Sequence, residues 1–235
     1  MSFPPYRLLT IDLDDTLWPC APVIRAAEDA LYGWLRQVAP RVTERLDIDG
    51  LRQQRRALMV RRPELAHDLT QVRRIALAEQ LAAHGYAAEL ADEGLTLFRA
   101  HRNRVAPYPE VEPVLRELAP RFRLISVTNG NADVASSPLR GLFHRSLTAA
   151  EAGAARPDPA MFRLALDWAG VAAQECLHVG DDPYLDVEAA RCFGLAAVWV
   201  NRTGRAWPAE LAPPAIAVRD LRELQRWLEG GADAV

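Results

Sequence analysis

Three aspartates follow a short apolar run near the N-terminus, in the stretch LLTIDLDDTLW at residues 8–18. Asp12 and Asp14 are two positions apart, so an extended backbone would point both side chains to the same side. Two carboxylates ~4 Å apart repel each other by about 4 kcal/mol at an effective dielectric constant near 20. Because this repulsion opposes folding, the cluster predicts a bound cation beside a reactive carboxylate.

Two further apolar segments also end in polar residues. The segment SVTNG places Thr128 at the end of one, and HVGDDPYLD places Asp181 at the end of another. In an open parallel sheet, ligands bind beyond the carboxyl ends of the strands. Oxygen ligands favour a hard cation, and an incomplete shell that keeps waters favours Mg²⁺. The sequence therefore predicts a Mg²⁺ site where Asp12, Asp14 and Asp181 meet.

The elements that must position these residues are short strands separated by helices. Strands are predicted over residues 7–13, 122–128, 176–181 and 196–201, with a weaker one over 215–218. Helices are predicted after Asp158-Pro159, with Met161, Ala165 and Trp168 on one face, and over residues 184–193 and 220–229. This alternation predicts the α/β class, with a Rossmann-like, doubly wound parallel sheet.

Residues 18–103 contain helical patterns and no convincing strand. One apolar stripe has helical spacing and comprises Val23, Ala27, Ala30, Trp34 and Val38. Further helices are predicted from Leu69, Val72 and Ala76 and over residues 87–104, before a proline-rich connection at 105–113. We therefore expect an α/β core domain from residues 1–17 and 104–235, and an inserted all-helical domain from residues 18–103.

Composition limits the classes of partner. The chain has 235 residues, is 50% hydrophobic and carries a net charge of −3, which argues against broad binding to nucleic acid or to an anionic membrane. Its three cysteines have no metal or disulfide spacing, and no signal peptide or membrane-length apolar run is evident. We expect a soluble cytoplasmic protein. All 28 basic residues are arginine, so any site that needs a cationic side chain must use arginine.

Four motifs in order, DLDDTLW, SVTNG, ARPDPAMF and HVGDDPYLD, resemble those of the haloacid dehalogenase superfamily of hydrolases. The inserted helices resemble the small helical cap of some members. The resemblance implies that Asp12 is the nucleophile and that Asp14 is the general acid and base. It also implies that Mg²⁺ is held by the side chains of Asp12 and Asp181 and by the backbone carbonyl of Asp14.

The same resemblance gives roles to the other motifs. Thr128 and the amides of Asn129 and Gly130 would hold phosphate oxygens, and Asp182 and Asp186 would orient the metal ligands. The third motif places Arg156 where members usually have lysine. Arginine can supply the fixed positive charge that this position requires. The alternative is that Arg156 is an ordinary loop residue and the site is impaired.

The helical segment at residues 51–74 contains seven arginines and two acidic residues. Most of these arginines fit solvated helix faces, while His67, in the sequence HDLT, and Arg73 are the candidates for binding substrate. With HDLT and the core motifs, the chain is similar to bacterial flavin-pathway phosphatases, which act on flavin mononucleotide and 5-amino-6-(5-phospho-D-ribitylamino)uracil. Trp18 and Trp34 could stack on such a ring, although core packing suits Trp34 better.

These observations predict a Mg²⁺-dependent phosphatase that acts on small phosphate monoesters through an aspartyl-phosphate, with a place in riboflavin metabolism. A phosphomutase or a sugar or nucleotide phosphatase of the same superfamily remains an alternative. A non-enzymatic alternative is a phosphate-ligand binding protein with an impaired site. A dehalogenase is disfavoured because its leaving halide needs no proton from Asp14. The oligomeric state stays open.

Overall fold

The computed structural model describes residues 6–230, which form two compact units. The α/β unit comprises residues 1–19, 106–129 and 134–235, and the helical unit comprises residues 20–105 and 130–133, apart from the terminal residues outside the described part. No helix among residues 6–230 has both the length and the apolar character needed to cross a membrane.

The α/β unit is built on a parallel sheet of six strands within the described residues. They are β1 (Leu8–Ile11), β2 (Arg123–Thr128), β3 (Arg145–Thr148), β4 (Cys176–Gly180), β5 (Ala196–Val200) and β6 (Ile216–Val218). Their order across the sheet is β3-β2-β1-β4-β5-β6, so β1 lies between β2 and β4. The direction of winding reverses beside β1, and this reversal is where doubly wound sheets bind ligands.

The predicted fold class is confirmed, and each of the five predicted strands is present within one or two residues of its expected bounds. Strand β3 was not predicted. It lies at the edge of the sheet, and only Leu147 of its residues is fully buried, because the strand pairs on one side alone. Such a short polar edge strand carries no apolar signal in the sequence.

The helical unit contains α1 (Cys20–Val38), α2 (Pro40–Thr43), α3 (Ile48–Arg61), α4 (Leu69–Ala83) and α5 (Leu90–Arg102). The stripe predicted for α1 is partly wrong: Val23 and Ala27 are buried, but the buried face continues through Leu31 and Leu35, and Val38 is exposed. The observed face advances by four residues at each step. The predicted stripe drifted around the helix because alanines and aromatic residues at neighbouring positions also fit helical spacing.

The helices of the α/β unit are α6 (Val111–Leu118), α7 (Ala149–Ala152), α8 (Ala160–Ala169), α9 (Ala189–Cys192) and α10 (Leu221–Gly230). A π-helical segment, Pro183–Glu188, leads directly into α9. Helix α8 buries Met161 and Ala165 against the sheet as predicted, whereas Trp168 is 41% exposed and was wrongly assigned to that face. The described helices and strands leave the carboxyl ends of β1, β2 and β4 side by side.

Candidate active site

Three polar strand ends meet at one edge of the sheet. Asp12 follows β1, Thr128 ends β2, and Asp181 follows β4. The Asp12 amide still donates to Val179 in β4, at 2.9 Å, so the backbone of the sheet fixes where the Asp12 side chain begins. Parallel pairing thus brings Asp12 together with residues that are more than a hundred positions away in the chain.

An acidic group forms at this edge from Asp12, Asp181 and Asp186. Each contributes a carboxylate oxygen, and these oxygens lie within 4.8 Å of one another. Asp12 and Asp186 are buried, at 6% and 1% exposure. Burial and the charge of Asp186 raise the pKa of Asp12, against the opposing effect of Arg156, and burial and Asp186 raise the pKa of Asp181 to about 7. A donor set of crowded, buried carboxylate oxygens fits Mg²⁺.

Arg156 is the cationic side chain inside this group. Its Nη2 donates to Asp12 Oδ1 at 2.5 Å, and its Nη1 donates to Asp186 Oδ1. Burial disfavours the charged guanidinium, but Asp186 and Asp12 outweigh that effect and raise the pKa of Arg156. Arg156 is 5% exposed, so it is not a solvated loop residue. Arg156 pairs with two of the three carboxylates and Arg205 lies beside the third, so the group has more negative than positive charge when all three carboxylates are ionised.

Asn129 holds the backbone of Arg156. The amide of Arg156 donates to Asn129 Oδ1 at 2.8 Å, and Asn129 Nδ2 donates to the Arg156 carbonyl at 3.0 Å. Asn129 is also predicted to bind substrate through its backbone amide, and this role remains a prediction. The side chain of Asn129 has a structural role instead. Its oxygen and its nitrogen both hydrogen-bond to the backbone of Arg156, the residue that contacts Asp12.

The turn after β4 supports Asp186. The side chain of Asp182 accepts hydrogen bonds from the amides of Tyr184 and Leu185, and so caps the helical segment that carries Asp186. The Asp182 amide donates to Asp186 Oδ2 at 2.8 Å. A β-carbon at Gly180 would collide with the Asp186 carboxyl group, so this close approach requires glycine. These contacts fit the predicted role of both aspartates in orienting the metal ligands.

His178 belongs to the same network and was missed in the sequence analysis. It is fully buried in β4, with Nε2 3.1 Å from Asp186 Oδ1 and 3.3 Å from Arg156 Nη1, while Nδ1 lies 3.0 Å from Thr10 Oγ1. Burial lowers its pKa. The available signal was a titratable residue in the middle of the apolar strand CLHVG, where an unpartnered polar group would be costly.

Asp14 lies outside the acidic group. Its Oδ1 accepts a hydrogen bond from the indole nitrogen of Trp18 at 2.9 Å. Trp18 is fully buried, which corrects its assignment as a ring that could stack on substrate. Trp34 packs half-buried against the core of the helical unit, as expected. Contact of the Asp14 carbonyl with a metal remains a prediction.

A cleft of about 270 Å³ opens beside Asp181 in the α/β unit. Its lining includes Asp15, Tyr108, Arg202 and Arg205. Arg205 Nη2 lies 3.3 Å from Asp181 Oδ2, and the Arg202 guanidinium stacks 3.8 Å above the Tyr108 ring. Thr16 Oγ1 donates to the other Asp181 oxygen at 3.3 Å. Both oxygens of Asp181 therefore have a polar neighbour.

The remaining predicted residues divide between the two units. Thr128 is 2% exposed at the end of β2, whereas Gly130, His67 and Arg73 belong to the helical unit. The HDLT sequence has a local structural role, because Asp68 accepts a hydrogen bond from the Gln71 amide at 2.9 Å and caps α4. The substrate-binding roles of Thr128, Gly130, His67 and Arg73 stay predictions.

The chain is similar to two phosphatases of known name and to one solved dehalogenase structure. The chain is 32% identical to the 5-amino-6-(5-phospho-D-ribitylamino)uracil phosphatase YigB of Escherichia coli, over 87% of this chain and 89% of that one. It is 34% identical to a phosphoserine phosphatase of Thermus thermophilus, over 93% and 97%. A 2-haloacid dehalogenase structure from Pseudomonas syringae superposes with a TM-score of 0.90 and 38% identity, over 96% and 99%.

The predicted resemblance is thus confirmed, both in the superfamily and in the likeness to a flavin-pathway phosphatase. The family model for haloacid dehalogenase-like hydrolases matches residues 6–194, which include all four motifs. The chain belongs to the haloacid dehalogenase-like hydrolases.

Proposed function

We propose that this hydrolase is a Mg²⁺-dependent phosphatase of small phosphate monoesters. The observation that carries the proposal is the geometry around Asp12. Its carboxylate is buried, is held by Arg156 at 2.5 Å and shares an acidic group with Asp181 and Asp186, while Asp14 supplies a further carboxylate two residues away. A nucleophile, an acid and a cation site are the three parts that this reaction requires.

In the proposed reaction a carboxylate oxygen of Asp12 bonds to the phosphorus of the substrate as the ester P–O bond breaks. Asp14 donates a proton to the departing oxygen. Asp14 then takes a proton from a water molecule, which displaces Asp12 from phosphorus and releases inorganic phosphate. The Trp18 hydrogen bond fixes one oxygen of Asp14 during both transfers. Thr128 and the amides that follow it would hold the oxygens of the phosphoryl group.

Mg²⁺, held by the side chains of Asp12 and Asp181 and the carbonyl of Asp14, would supply positive charge against the phosphate oxygens. Arg156 supplies the second positive charge, which is permanent because guanidinium does not release its proton near neutral pH. Its hydrogen bonds to Asp12 and Asp186 hold the nucleophile in one orientation. Proton transfer is left to Asp14.

For the substrate we propose flavin mononucleotide or 5-amino-6-(5-phospho-D-ribitylamino)uracil, which would place the enzyme in riboflavin metabolism. The support is similarity to YigB, whose name gives the second compound, over most of both chains. A ranking of kcat/KM over phosphorylated metabolites tests this. We expect these two compounds to lead phosphoserine and phosphoglycolate, and the reverse order would move the assignment to the other phosphatases that the chain resembles.

A second candidate reaction is dehalogenation, because the 2-haloacid dehalogenase structure shares 38% identity and nearly the whole fold. Dehalogenation would use Asp12 to displace halide from carbon, and it would need neither Mg²⁺ nor a proton from Asp14. The two reactions therefore separate in one assay: phosphate release from p-nitrophenyl phosphate and chloride release from 2-chloropropionate, each with Mg²⁺ and with EDTA.

Two variants complete the test. Asp12→Asn removes the proposed nucleophile, and Asp167→Asn is the control, because Asp167 is an exposed aspartate of α8 in the same unit. We expect Mg²⁺-dependent phosphate release from wild type and from Asp167→Asn, and a loss of about 10³-fold or more in Asp12→Asn. Chloride release that persists in EDTA, without phosphate release, would assign the second reaction instead.

A further inference from the structure

A basic cluster, formed by Arg52, Arg55 and Arg73 around Glu28, lies in the helical unit. Glu28 is 4% exposed on α1. Its Oε2 accepts from Arg52 at 2.8 and 2.5 Å, and its Oε1 accepts from Arg55 at 2.6 Å. Both carboxylate oxygens of Glu28 therefore already accept hydrogen bonds from Arg52 or Arg55.

Arg73 is the incompletely paired member of this cluster. It is 9% exposed, and its Nη1 lies 3.8 Å from Glu28 Oε1, beyond hydrogen-bond range. Its Nε and Nη1 are buried and have no hydrogen-bond acceptor among the described residues. One face of the guanidinium is covered by the Phe98 ring, 3.5 Å from the ring centroid. A buried charged donor without an acceptor is costly, so an acceptor is missing from this arrangement.

The charge balance of the basic cluster also indicates that an acceptor is missing. Three guanidinium groups share one buried carboxylate, and Asp49 adds an exposed partner for Arg52 alone. Burial lowers the pKa of Arg73 to about 9, and the charges of Arg55 and Arg102 add to that effect. The missing acceptor must therefore be anionic to compensate the excess positive charge.

A small cleft gives access to the cluster. Arg55, Arg73, Gln54 and Gln80 contribute polar side chains to its lining, and leucines and an alanine complete it. Its volume of about 10 Å³ is close to the space that one water-sized atom occupies. The cleft therefore has room for a single oxygen of a larger group whose remainder lies outside.

We propose that this cleft is an anion site that accepts one oxygen of an oxyanion, a carboxylate, phosphate or sulfate group, between Arg73 and Arg55. The guanidinium nitrogens donate charge-assisted hydrogen bonds to it. The proposal rests only on contacts within the helical unit, so it stands whether the enzyme cleaves phosphate esters or carbon–halogen bonds. A neutral water in the cleft would satisfy a donor but would leave the charge excess.

A stability titration tests the site. Wild type, Arg73→Met and Arg74→Met are melted in Bis-Tris propane, a buffer without an oxyanion group, over a range of sodium sulfate at constant ionic strength. Arg74 is the matched control, since it is adjacent, half-exposed and paired with Asp92. Methionine preserves much of the side-chain length and removes the charge.

We expect saturable stabilisation of wild type and of Arg74→Met by sulfate, and an apparent sulfate affinity at least about tenfold weaker in Arg73→Met. Without sulfate, Arg73→Met should match or exceed wild type in Tm, because it lacks an unpaired buried charge. Sulfate that binds near Asp12 would affect all three proteins alike. Identical sulfate responses in all three would overturn the proposal.

Crystals of the wild-type protein soaked in sodium selenate give a readout that needs no variant. We expect an anomalous peak beside the guanidinium groups of Arg55 and Arg73, which disappears when acetate is added as a competing carboxylate. Selenate peaks elsewhere with none in this cleft would overturn the proposal, whatever the outcome at the candidate active site. If Arg73→Met does not fold, Arg55→Met replaces it in the titration.

Discussion

The acidic group of the α/β unit and the basic cluster of the helical unit are arranged as opposites. In the acidic group, the guanidinium of Arg156 contacts two of three carboxylates, and Arg205 lies beside the third. In the basic cluster, the carboxylate of Glu28 faces three guanidinium groups. Each region buries charge that its own partners do not fully balance. Since unpaired buried charge is strongly unfavourable, such an excess marks the place of a ligand of opposite sign.

The two regions differ in how they are built. The acidic group sits at strand ends and has a framework of supporting contacts, including the Asn129 bonds to Arg156 and the Asp182 bond to Asp186. The basic cluster lies on helix faces, and Phe98 covers one face of Arg73. A framework of this kind suits a site where atoms must be held for reaction, whereas a looser cluster with a narrow cleft suits binding alone.

The largest expected effect comes from removing the buried cation of the acidic group. Arg156→Ala leaves Asp12 and Asp186 buried without their partner, so we expect a loss of about 3–5 kcal/mol in the free energy of unfolding. Turnover should fall by about 10³-fold or more. Arg156→Lys restores a charge and should keep most of both. Urea unfolding and steady-state kinetics measure the two effects, and equal values in all three proteins would show that Arg156 supports neither.

Glu28→Gln is the mirror-image change in the basic cluster. It removes the carboxylate shared by Arg52 and Arg55, so we expect a loss of about 3 kcal/mol in the free energy of unfolding. Glu79→Gln, which breaks an exposed pair with Arg61, is the control and should lose less than about 1 kcal/mol. Sulfate should recover more stability in Glu28→Gln than in wild type. A small loss of stability in Glu28→Gln, without recovery by sulfate, would contradict the proposed parallel between the acidic group and the basic cluster.

Mg²⁺ should stabilise the protein most where the acidic group is charged. The pKa of Asp181 is raised to about 7, so the folded state binds protons more tightly than the unfolded state. Metal-free stability from this residue should therefore fall as pH rises from about 4 to about 7. Saturating Mg²⁺ at 100 times its dissociation constant should return about 2.7 kcal/mol.

Thermal melts with and without Mg²⁺ at pH 6 and pH 8 measure this effect, which should be larger at pH 8. Asp181→Asn should reduce the response to Mg²⁺ at both values. Asp182→Asn is less suited as a control because Asp182 supports Asp186, so Asp167→Asn serves again. A Mg²⁺ response that is unchanged in Asp181→Asn would remove this residue from the metal site.

The smallest effect should come from Asn129→Ala. This change removes two hydrogen bonds to the backbone of Arg156, so we expect a loss of about 1–3 kcal/mol in stability and about tenfold in kcat. Asn131→Ala, in the adjacent segment, is the control. If Asn129 contacts substrate instead, KM should rise while kcat is preserved, and the split between the two constants separates the roles.

The acidic group could be predicted from sequence because its members occupy recognisable places. Asp12 and Asp181 follow apolar strands, and parallel pairing places strand ends together whatever their distance along the chain. The position of Arg156 came from a motif. Its contacts with Asn129 and His178 were not predicted, because these side chains meet Arg156 only after the chain has folded.

The basic cluster could not be predicted from sequence patterns. Glu28 is separated from Arg52 and Arg55 by 24 and 27 positions, and it lies outside the apolar stripe predicted for α1. Predicting its burial required the true packing face of that helix, which passes through Leu31 and Leu35. The sequence did indicate an excess of arginine at residues 51–74 and singled out Arg73 as a candidate for binding substrate, but it did not show that Arg73 is buried beside Glu28.

The most direct test of the central claim is acid-quenched turnover followed by peptide mass analysis. Wild-type enzyme mixed with p-nitrophenyl phosphate and Mg²⁺ should carry one phosphoryl group on the peptide that contains Asp12. The modification should be absent with EDTA and in Asp12→Asn. Phosphate release by wild type with no phosphoryl group ever found on that peptide would contradict the account.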